Sequence, residues 1–408
     1  MILLTNFSLL AMNTNISRLS QIARKKSRLI IGLMSGTSMD GLDVALCRVT
    51  GHGRKTKLDL KNFETVPYSK EIRERIAVVF AKPQVDLVKL SNLNPWIGML
   101  HGRIVLACLK KWRISASRID AIASHGQTVM HAPAFLHPGD PINSTLQLGD
   151  GDHIAVATGI LTISDFRQKH IAAGGEGAPL AVYGDYLLLS NKKENRILIN
   201  IGGIANFTYL PAGANPRKVF VTDTGPGNTL IDQTVHHYFP EEYFDRNALR
   251  ATKGTVNHLL LSALKEHPFF KIPFPKTTGP ELFNRGYLNQ AQKKSSTELL
   301  APNDLLATLT RFSAETIAEG VNEAVGNKKF SAYLSGGGAH NPLLTKWLME
   351  LMGVSEVYRT EELGIPGDAK EAILFAVLAN ETLAGEIINF GSRTKVPSVH
   401  MGKISFPY

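Results

Sequence analysis

Short apolar runs that stop at glycine-rich turns organise this chain. The run RLIIGLM, 28–34, is rich in isoleucine and leucine, ends at the polar turn SGTSMDG, and is followed by LDVALCRV with apolar residues at alternate positions. That pattern predicts strand, glycine turn, strand. RILINIGGIANFTYL, 196–210, repeats it: an apolar strand reaches Gly202 and Gly203 and another strand follows. In KFSAYLSGGGAHNPLL, 329–344, a strand runs into Gly336, Gly337 and Gly338, and Asn341 with Pro342 predicts the start of a helix. GDAKEAILFAVLA, 367–379, predicts a further helix with Glu371 in its first turn, where the dipole favours an acid.

These turns suggest chemistry. Backbone N–H groups of Gly36, Thr37 and Ser38, with hydroxyls beside them, suit the oxygens of a phosphate. Asp40 would supply a carboxylate for magnesium held mainly by water and phosphate oxygens. Alone, SGTSMDG reads equally well as a polar hairpin loop. Three strand-to-glycine turns across roughly 300 residues match a nucleotide lying in an interdomain cleft, with hairpins on the phosphates and a helix end on the nucleoside. Neither GxxxxGK[ST] nor a GxGxxG after the first strand is present, which disfavours the common nucleotide folds.

Polar residues gather at strand ends between the turns. ASHGQTVMHAP carries His125, Gln127 and Thr128; TLQLGDGDHIA carries Asp150 and Asp152; ISDFRQKH brings Asp165 and Arg167. VTDTGPGNTLID presents Asp223, Thr224 and Asn228 where a strand meets a helix. Singly, such a histidine is more often part of a core and such an aspartate an N-cap. Their concentration favours a polyhydroxylated ligand, with His125, Gln127, Thr128, Arg167, Asp223 and Asn228 as the substrate-binding candidates.

Composition narrows the class without changing it. The 408 residues are 44% apolar and 20% charged, enough for two domains with separate cores. The net charge of +10 favours anionic small molecules or simply solubility. Basic clusters such as ARKKSR and LKKWR lack the interleaved aromatics of a nucleic-acid platform, so nucleic acid is not an expected partner. Cys47 and Cys108 form no metal-type or redox-type pair. The first residues make a poor secretory signal and no apolar stretch is long enough to span a bilayer, so a cytoplasmic protein with no membrane partner is expected.

IGLMSGTSMDGLDVAL, SHGQTV, AAGGEGAPL, LINIGGIANFT, DTGPGNTLID and SGGGAHNPLL together resemble the anhydro-N-acetylmuramic acid kinase family, within the sugar kinase, heat-shock ATPase and actin superfamily, over about residues 28–385. The resemblance implies an α/β, two-domain actin-like ATPase (ribonuclease H-like) fold with an interdomain nucleotide cleft for ATP and Mg2+. It implies recycling of cell-wall sugar, in which water opens the 1,6-anhydro ring while the released 6-oxygen takes the γ-phosphate. Carried over by residue, Gly36, Thr37, Ser38, Met39, Asp40, Gly41, Leu42 and Asp43 match the ATP-binding loop, with Asp40 toward the metal. Gly202 and Gly203 match the second phosphate hairpin, Gly336, Gly337 and Gly338 the nucleoside loop, and Glu371 a glutamate near the sugar. The expected organisation is a loose extension over 1–26, a first domain over 27–160, a second over 161–379, and a tail over 380–408 that packs back on the first. A homodimer is compatible with the resemblance.

One stretch departs from the family pattern. Where that pattern is close to GDFRRRDIALGGQGAPL, with the aspartate before the glycine pair as general base, this chain has Ser164, His170 and Glu176 in place of the first glycine, that aspartate and the glutamine. Arg167, Gly174, Gly175, Gly177, Ala178 and Pro179 keep the frame. An imidazole with a pKa of about 6.5 can accept a proton at neutral pH, so His170, paired with Glu176, is expected as the replacement base. Catalytic candidates are therefore His170, Glu176 and Glu371. Two other readings stand beside this one: a kinase of another sugar or anhydro-sugar, and a non-catalytic homologue that senses ATP or sugar.

Overall fold

The computed structural model describes residues 13–37, 39–134, 139, 141–392 and 396–408. In chain order, α1 (Thr14–Arg24) precedes β1 (Ser27–Ser35), β2 (Gly41–Thr50), β3 (Lys57–Pro67), α2 (Lys70–Ala77) and α3 (Leu87–Lys111). Then come β4 (Ala121–Ala132), β5 (Ser144–Leu148), α4 (Gly151–Thr158), β6 (Thr162–Ser164), α5 (Phe166–Ala172) and α6 (Ala181–Leu189). A second series holds β7 (Asn195–Ile201), β8 (Ile204–Leu210), β9 (Phe220–Pro226), α7 (Thr229–Tyr238), α8 (His258–Lys265), α9 (Arg285–Ser295), α10 (Pro302–Val325), β10 (Phe330–Ser335), α11 (Pro342–Met352) and β11 (Tyr358–Arg359). The chain ends with α12 (Lys370–Ala384) and β12 (Lys403–Ser405).

The first unit is Met1–Leu188 with Ala369–Tyr408, and the second is Leu189–Asp368. The first sheet runs β12-β6-β4-β1-β2-β3, with β5 paired to β4. Its β1, β2 and β3 form an antiparallel meander, and β4 and β6 add in parallel beside β1. The second sheet runs β11-β10-β7-β8-β9, again an antiparallel meander with two parallel strands beside its first member. Without the additions β5 and β12, both sheets have the order third, second, first, fourth, fifth. That is the duplicated ribonuclease H-like α/β architecture expected from the resemblance.

Burial explains the patterns. β1 lies between β2 and β4, so its residues are apolar on both faces, as a central strand requires. Ile31 and Leu33 meet Leu93, Ile97 and Val105 of α3. On the other face α12 comes so close that a Cβ added to Gly32 would lie 1.8 Å from the carbonyl oxygen of Ala372. In the second unit, Ile197, Ile199 and Phe207 pack on Ile317 and Val321 of α10 and Leu344 and Leu348 of α11. Helix α11 begins where its sequence predicts: Asn341 accepts from the Leu344 amide at 2.9 Å, Pro342 takes the first turn, and Gly353 ends it at φ 64°.

Two expected boundaries are corrected. β6 pairs with both β4 and β12, and α12 packs on β1, so residues 161–188 and 369–379 belong to the first unit. The segment 1–26 is not loose throughout. Asn13 caps α1, Ile22 is buried, and the buried Arg28 donates from Nε to the Ile22 carbonyl at 2.9 Å and from Nη1 to Asn380 Oδ1 at 3.0 Å. Because charge-assisted bonds of this kind contribute about 1.5–3 kcal/mol each, Arg28→Ala is expected to lower the melting temperature and open α1 to limited proteolysis. Equal cleavage of α1 in both proteins would show that Arg28 does not hold it.

Candidate active site

The β1–β2 turn is fastened from outside. Gly36 O accepts from Gln127 Nε2 at 2.8 Å, and Asp40 O accepts from the Tyr68 amide at 2.8 Å. Between them Thr37 and Asp40 are exposed and Met39 has a positive φ of 54°. Ser38 lies outside the described residues. Gly41 starts β2 so close to β3 that an added Cβ would be 2.6 Å from Val66 O. Asp43 accepts from Thr65 Oγ1 at 2.6 Å, and its charge acts on Glu371. Leu42 is fully buried in the core with α3, because alternation along β2 turns its side chain inward, so only its backbone is left to the turn.

Two residues expected on the sugar are committed elsewhere. Gln127 is fully buried: its Nε2 donates to Gly36 O and, at 3.1 Å, to Thr128 O, while its Oε1 accepts from Ser35 Oγ at 2.6 Å. No donor is left over, so Gln127 holds the turn instead of a ligand. His125 is buried between Gly126 O, 2.8 Å from Nδ1, and Arg167 Nε, which donates to Nε2 at 2.7 Å. Burial first, then the Arg167 charge, hold its pKa well below the ordinary value, so the imidazole is a neutral acceptor for Arg167. Thr128 is buried as well, with its hydroxyl accepting from Gln147 Nε2 at 3.3 Å.

The divergent stretch forms a clamped loop after β6 and α5. The carbonyl of Gly177 accepts from Arg167 Nη1 at 2.8 Å, and its amide donates to His170 Nδ1 at 3.0 Å. Gly177 has φ 81°, so the loop needs glycine there. His170 is fully buried, edge-on to Tyr183 with ring centroids 5.8 Å apart. A neutral imidazole has one lone pair, and here the Gly177 amide uses it. In this geometry Nδ1 accepts from the loop, so the structure gives His170 a supporting contact where an imidazole base was expected. Glu176, half-buried, sits on the clamped peptide itself. Burial raises the pKa of Glu371, against the pull of Arg167 and with a further push from Asp43, while burial lowers that of Arg167. The first unit thus brings His125, Arg167, His170, Glu176 and Glu371 into one region.

Gly175 is fixed by the same ring. A Cβ there would stand 2.2 Å from both Cε1 and Nδ1 of His170. Gly175→Ala is expected to destabilise the first unit by about 1–3 kcal/mol through overpacking, seen as a lower melting temperature. An unchanged melt would mean the ring can move aside.

In the second unit the remaining glycine turns converge. Gly203 O accepts from the Gly227 amide and Gly202 O from the Asn228 amide, each at 2.8 Å. Added Cβ atoms on Gly336 and Gly338 would lie 2.7 Å from Ile201 O and 2.3 Å from Ile201 Cγ2, and the latter would also lie 2.9 Å from Asn228 Oδ1. Gly337 is exposed beside them. Asn228 therefore sits between the Gly202–Gly203 and Gly336–Gly338 turns of this unit. The Asp223 carboxylate accepts from the Thr278 amide at 2.8 Å, fixing the segment that follows a buried Lys276. In the first unit, a cavity of about 580 Å3 is lined by Asn94, Ser124, His125, Gln147, Asp165 and Lys403 among others, and contains none of Arg167, His170, Glu176 or Glu371. It is not the clamped loop's site.

Residues 28–400 match the family model described as anhydro-N-acetylmuramic acid kinase. The chain belongs to the anhydro-N-acetylmuramic acid kinase family. Its relatives of that name include one from Pseudoalteromonas atlantica, 56% identical over 97% of this chain and 100% of the relative. Another, from Caldanaerobacter subterraneus, is 40% identical over 95% of this chain and 99% of the relative. Among solved structures, the activator of 2-hydroxyisocaproyl-CoA dehydratase from Clostridium difficile aligns with a TM-score of 0.41 at 10% identity, over 87% of this chain and 95% of that one. As a member of a kinase family, the chain is a phosphotransferase with an alcohol group as acceptor.

Sequence reasoning within this kinase family missed Tyr68, Ser35 and His101, which stand behind the β1–β2 turn. No glycine or motif marks them, and only the strand pairing of β1 with β4 and β2 with β3 brings them together. It also missed Lys370, whose Nζ lies 3.0 Å from the buried Asp185 and so fastens the start of α12 beside Glu371. Among the described residues no group of three or more His, Cys, Asp or Glu is arranged to hold a metal, and no helix is long and apolar enough to cross a membrane. Cys47 and Cys108 are buried and unbridged, and burial pushes the Cys47 thiol up to about 12.

Proposed function

We propose that this enzyme phosphorylates 1,6-anhydro-N-acetylmuramic acid from ATP in the cytoplasm, with Glu176 as the general base and His170 as its support. The double clamp on Gly177 carries this reading: His170 holds the peptide between Glu176 and Gly177 and Arg167 holds the one that follows, fixing the backbone from which the Glu176 side chain springs. Water attacks C1 of the sugar and gives its proton to Glu176, the C1–O6 bond breaks, and O6 takes the γ-phosphoryl group as ADP leaves. Water, anhydro-sugar and ATP thus become sugar 6-phosphate, ADP and one proton.

Arg167 and Glu371 would frame the sugar beside that carboxylate. Residues 36–43 in the first unit would offer backbone amides to phosphate oxygens, and Gly202 and Gly203 in the second unit would do the same. The Gly336–Gly338 turn, with Asn228 at its side, would take the nucleoside. Magnesium fits the donor set of the first turn, because Asp43 already presses on Glu371 with like charge and Asp40 is exposed. Asp40 and Asp43 would hold it together with phosphate oxygens and water, and it would neutralise charge on the phosphates.

The test is phosphate transfer from magnesium-ATP, with 1,6-anhydro-N-acetylmuramic acid and free N-acetylmuramic acid as alternative acceptors. Preference for the anhydro form is expected. Turnover of the free sugar alone would overturn the ring-opening step, and nucleotide binding without any turnover would leave only a sensor.

A further inference from the structure

We infer that Tyr68, backed by His101, is a positioning residue for the first phosphate turn, acting through Ser35 and Gln127. The inference rests on residues 36–43 holding the phosphates of ATP. Four buried side chains form an unbroken series. His101 Nε2 is 2.8 Å from Tyr68 Oη, Tyr68 Oη is 3.0 Å from Ser35 Oγ, and Ser35 Oγ is 2.6 Å from Gln127 Oε1. Gln127 Nε2 then donates to Gly36 O at 2.8 Å.

The direction of every proton in the series follows from its last member. Gln127 Nε2 faces two carbonyls, Gly36 O and Thr128 O, so Oε1 must be the end that faces Ser35. An amide oxygen only accepts, so Ser35 donates to it. Tyr68 must then donate to Ser35, and His101 Nε2–H to Tyr68. Each residue is at most 4% exposed, so water does not compete for these groups. Burial lowers the pKa of His101 to about 4 and raises that of Tyr68, so the series keeps one protonation state across the neutral range.

The turn needs such support. Met39 is held at φ 54°, a left-handed conformation that costs a residue with a Cβ about 1–2 kcal/mol unless its surroundings impose it. Tyr68 acts on both ends of the strained segment. Its amide donates to Asp40 O, while its hydroxyl sets Ser35 and, through Gln127, the carbonyl of Gly36. Gly36 O in turn accepts from the Met39 amide at 3.4 Å, closing the turn.

Tyr68→Phe removes the hydroxyl and keeps the ring. The expected result is a rise of about tenfold in the Kd of a non-hydrolysable ATP analogue and in the KM for ATP, with the KM for the sugar unchanged. His101→Leu, which touches no part of the turn, is expected to act in the same direction with a smaller factor. Val105→Ala, a change in the α3 core, serves as the comparison for plain destabilisation: a lower melting temperature with unchanged nucleotide affinity. Tyr68→Phe behaving like Val105→Ala would overturn the inference. Asp40→Asn separates the two levels of the argument. If it weakens nucleotide binding while Tyr68→Phe does not, the turn binds phosphate but Tyr68 does not position it. If neither changes binding, the assignment of the turn itself fails, and the inference with it.

Discussion

Replacing Glu176 with glutamine is expected to lower kcat by about 10²- to 10⁴-fold, the usual worth of a general base, while the KM for ATP stays near that of the unaltered enzyme. The substitution preserves size and removes only the ability to take a proton. His170→Asn is the informative partner. Asparagine Oδ1 falls close to the place of imidazole Nδ1 and can still accept from the Gly177 amide, so the loop keeps its shape. Less than a tenfold loss of kcat is expected, together with a lower melting temperature from the space left beside Tyr183. The pH profiles separate the roles. A base works only when deprotonated, so activity dependent on an imidazole falls as pH drops through about 6.5. The acid limb of kcat/KM is expected at the same pH in His170→Asn as in the unaltered enzyme. Its disappearance in His170→Asn would return the base to the histidine.

Arg167→Ala has the second large expected effect, because one guanidinium serves three groups. It donates from Nη1 to Gly177 O and from Nε to His125 Nε2, and its charge opposes the burial of Glu371. Without it a buried imidazole loses its donor, the loop loses one of two clamps, and Glu371 loses its compensating charge. Breaking such an arrangement costs roughly 3–5 kcal/mol. A misplaced catalytic group alone can cost about 10²-fold in rate, so kcat/KM is expected to fall at least that far. Arg167→Lys is not expected to restore activity, since a single ammonium cannot reproduce two donors fixed in one plane. Steady-state kinetics and a thermal melt on both variants check this. Recovery by lysine would show that only the charge matters.

What the sequence made legible divides along physical lines. Strand and glycine-turn signals are local, so β1, β2, β7, β8 and the start of α11 could be read from apolar alternation and Asn341-Pro342. The unit boundaries could not, because they depend on pairings such as Lys403 with Ser164, more than two hundred residues apart. His125 and Gln127 read as ligands because their partners, Arg167 Nε and Gly36 O, are remote in the chain. For Leu42 the signal was present: alternation through Leu42, Val44 and Leu46 already points it into the core. His170 shows the opposite limit. Sequence registers the exchange of an aspartate for a histidine, whereas the Gly177 amide that takes up its lone pair follows from a loop bent at φ 81°. Glu176 places a carboxylate on the same loop.

The most direct test of the account is the fate of water oxygen. The enzyme is given magnesium-ATP and 1,6-anhydro-N-acetylmuramic acid in H2(18)O, and the product is analysed by mass spectrometry at early times. The account predicts a sugar 6-phosphate with one heavy oxygen at C1 and none in the phosphate ester. A phosphorylated product without label at C1, or one that retains the anhydro bridge, would contradict it.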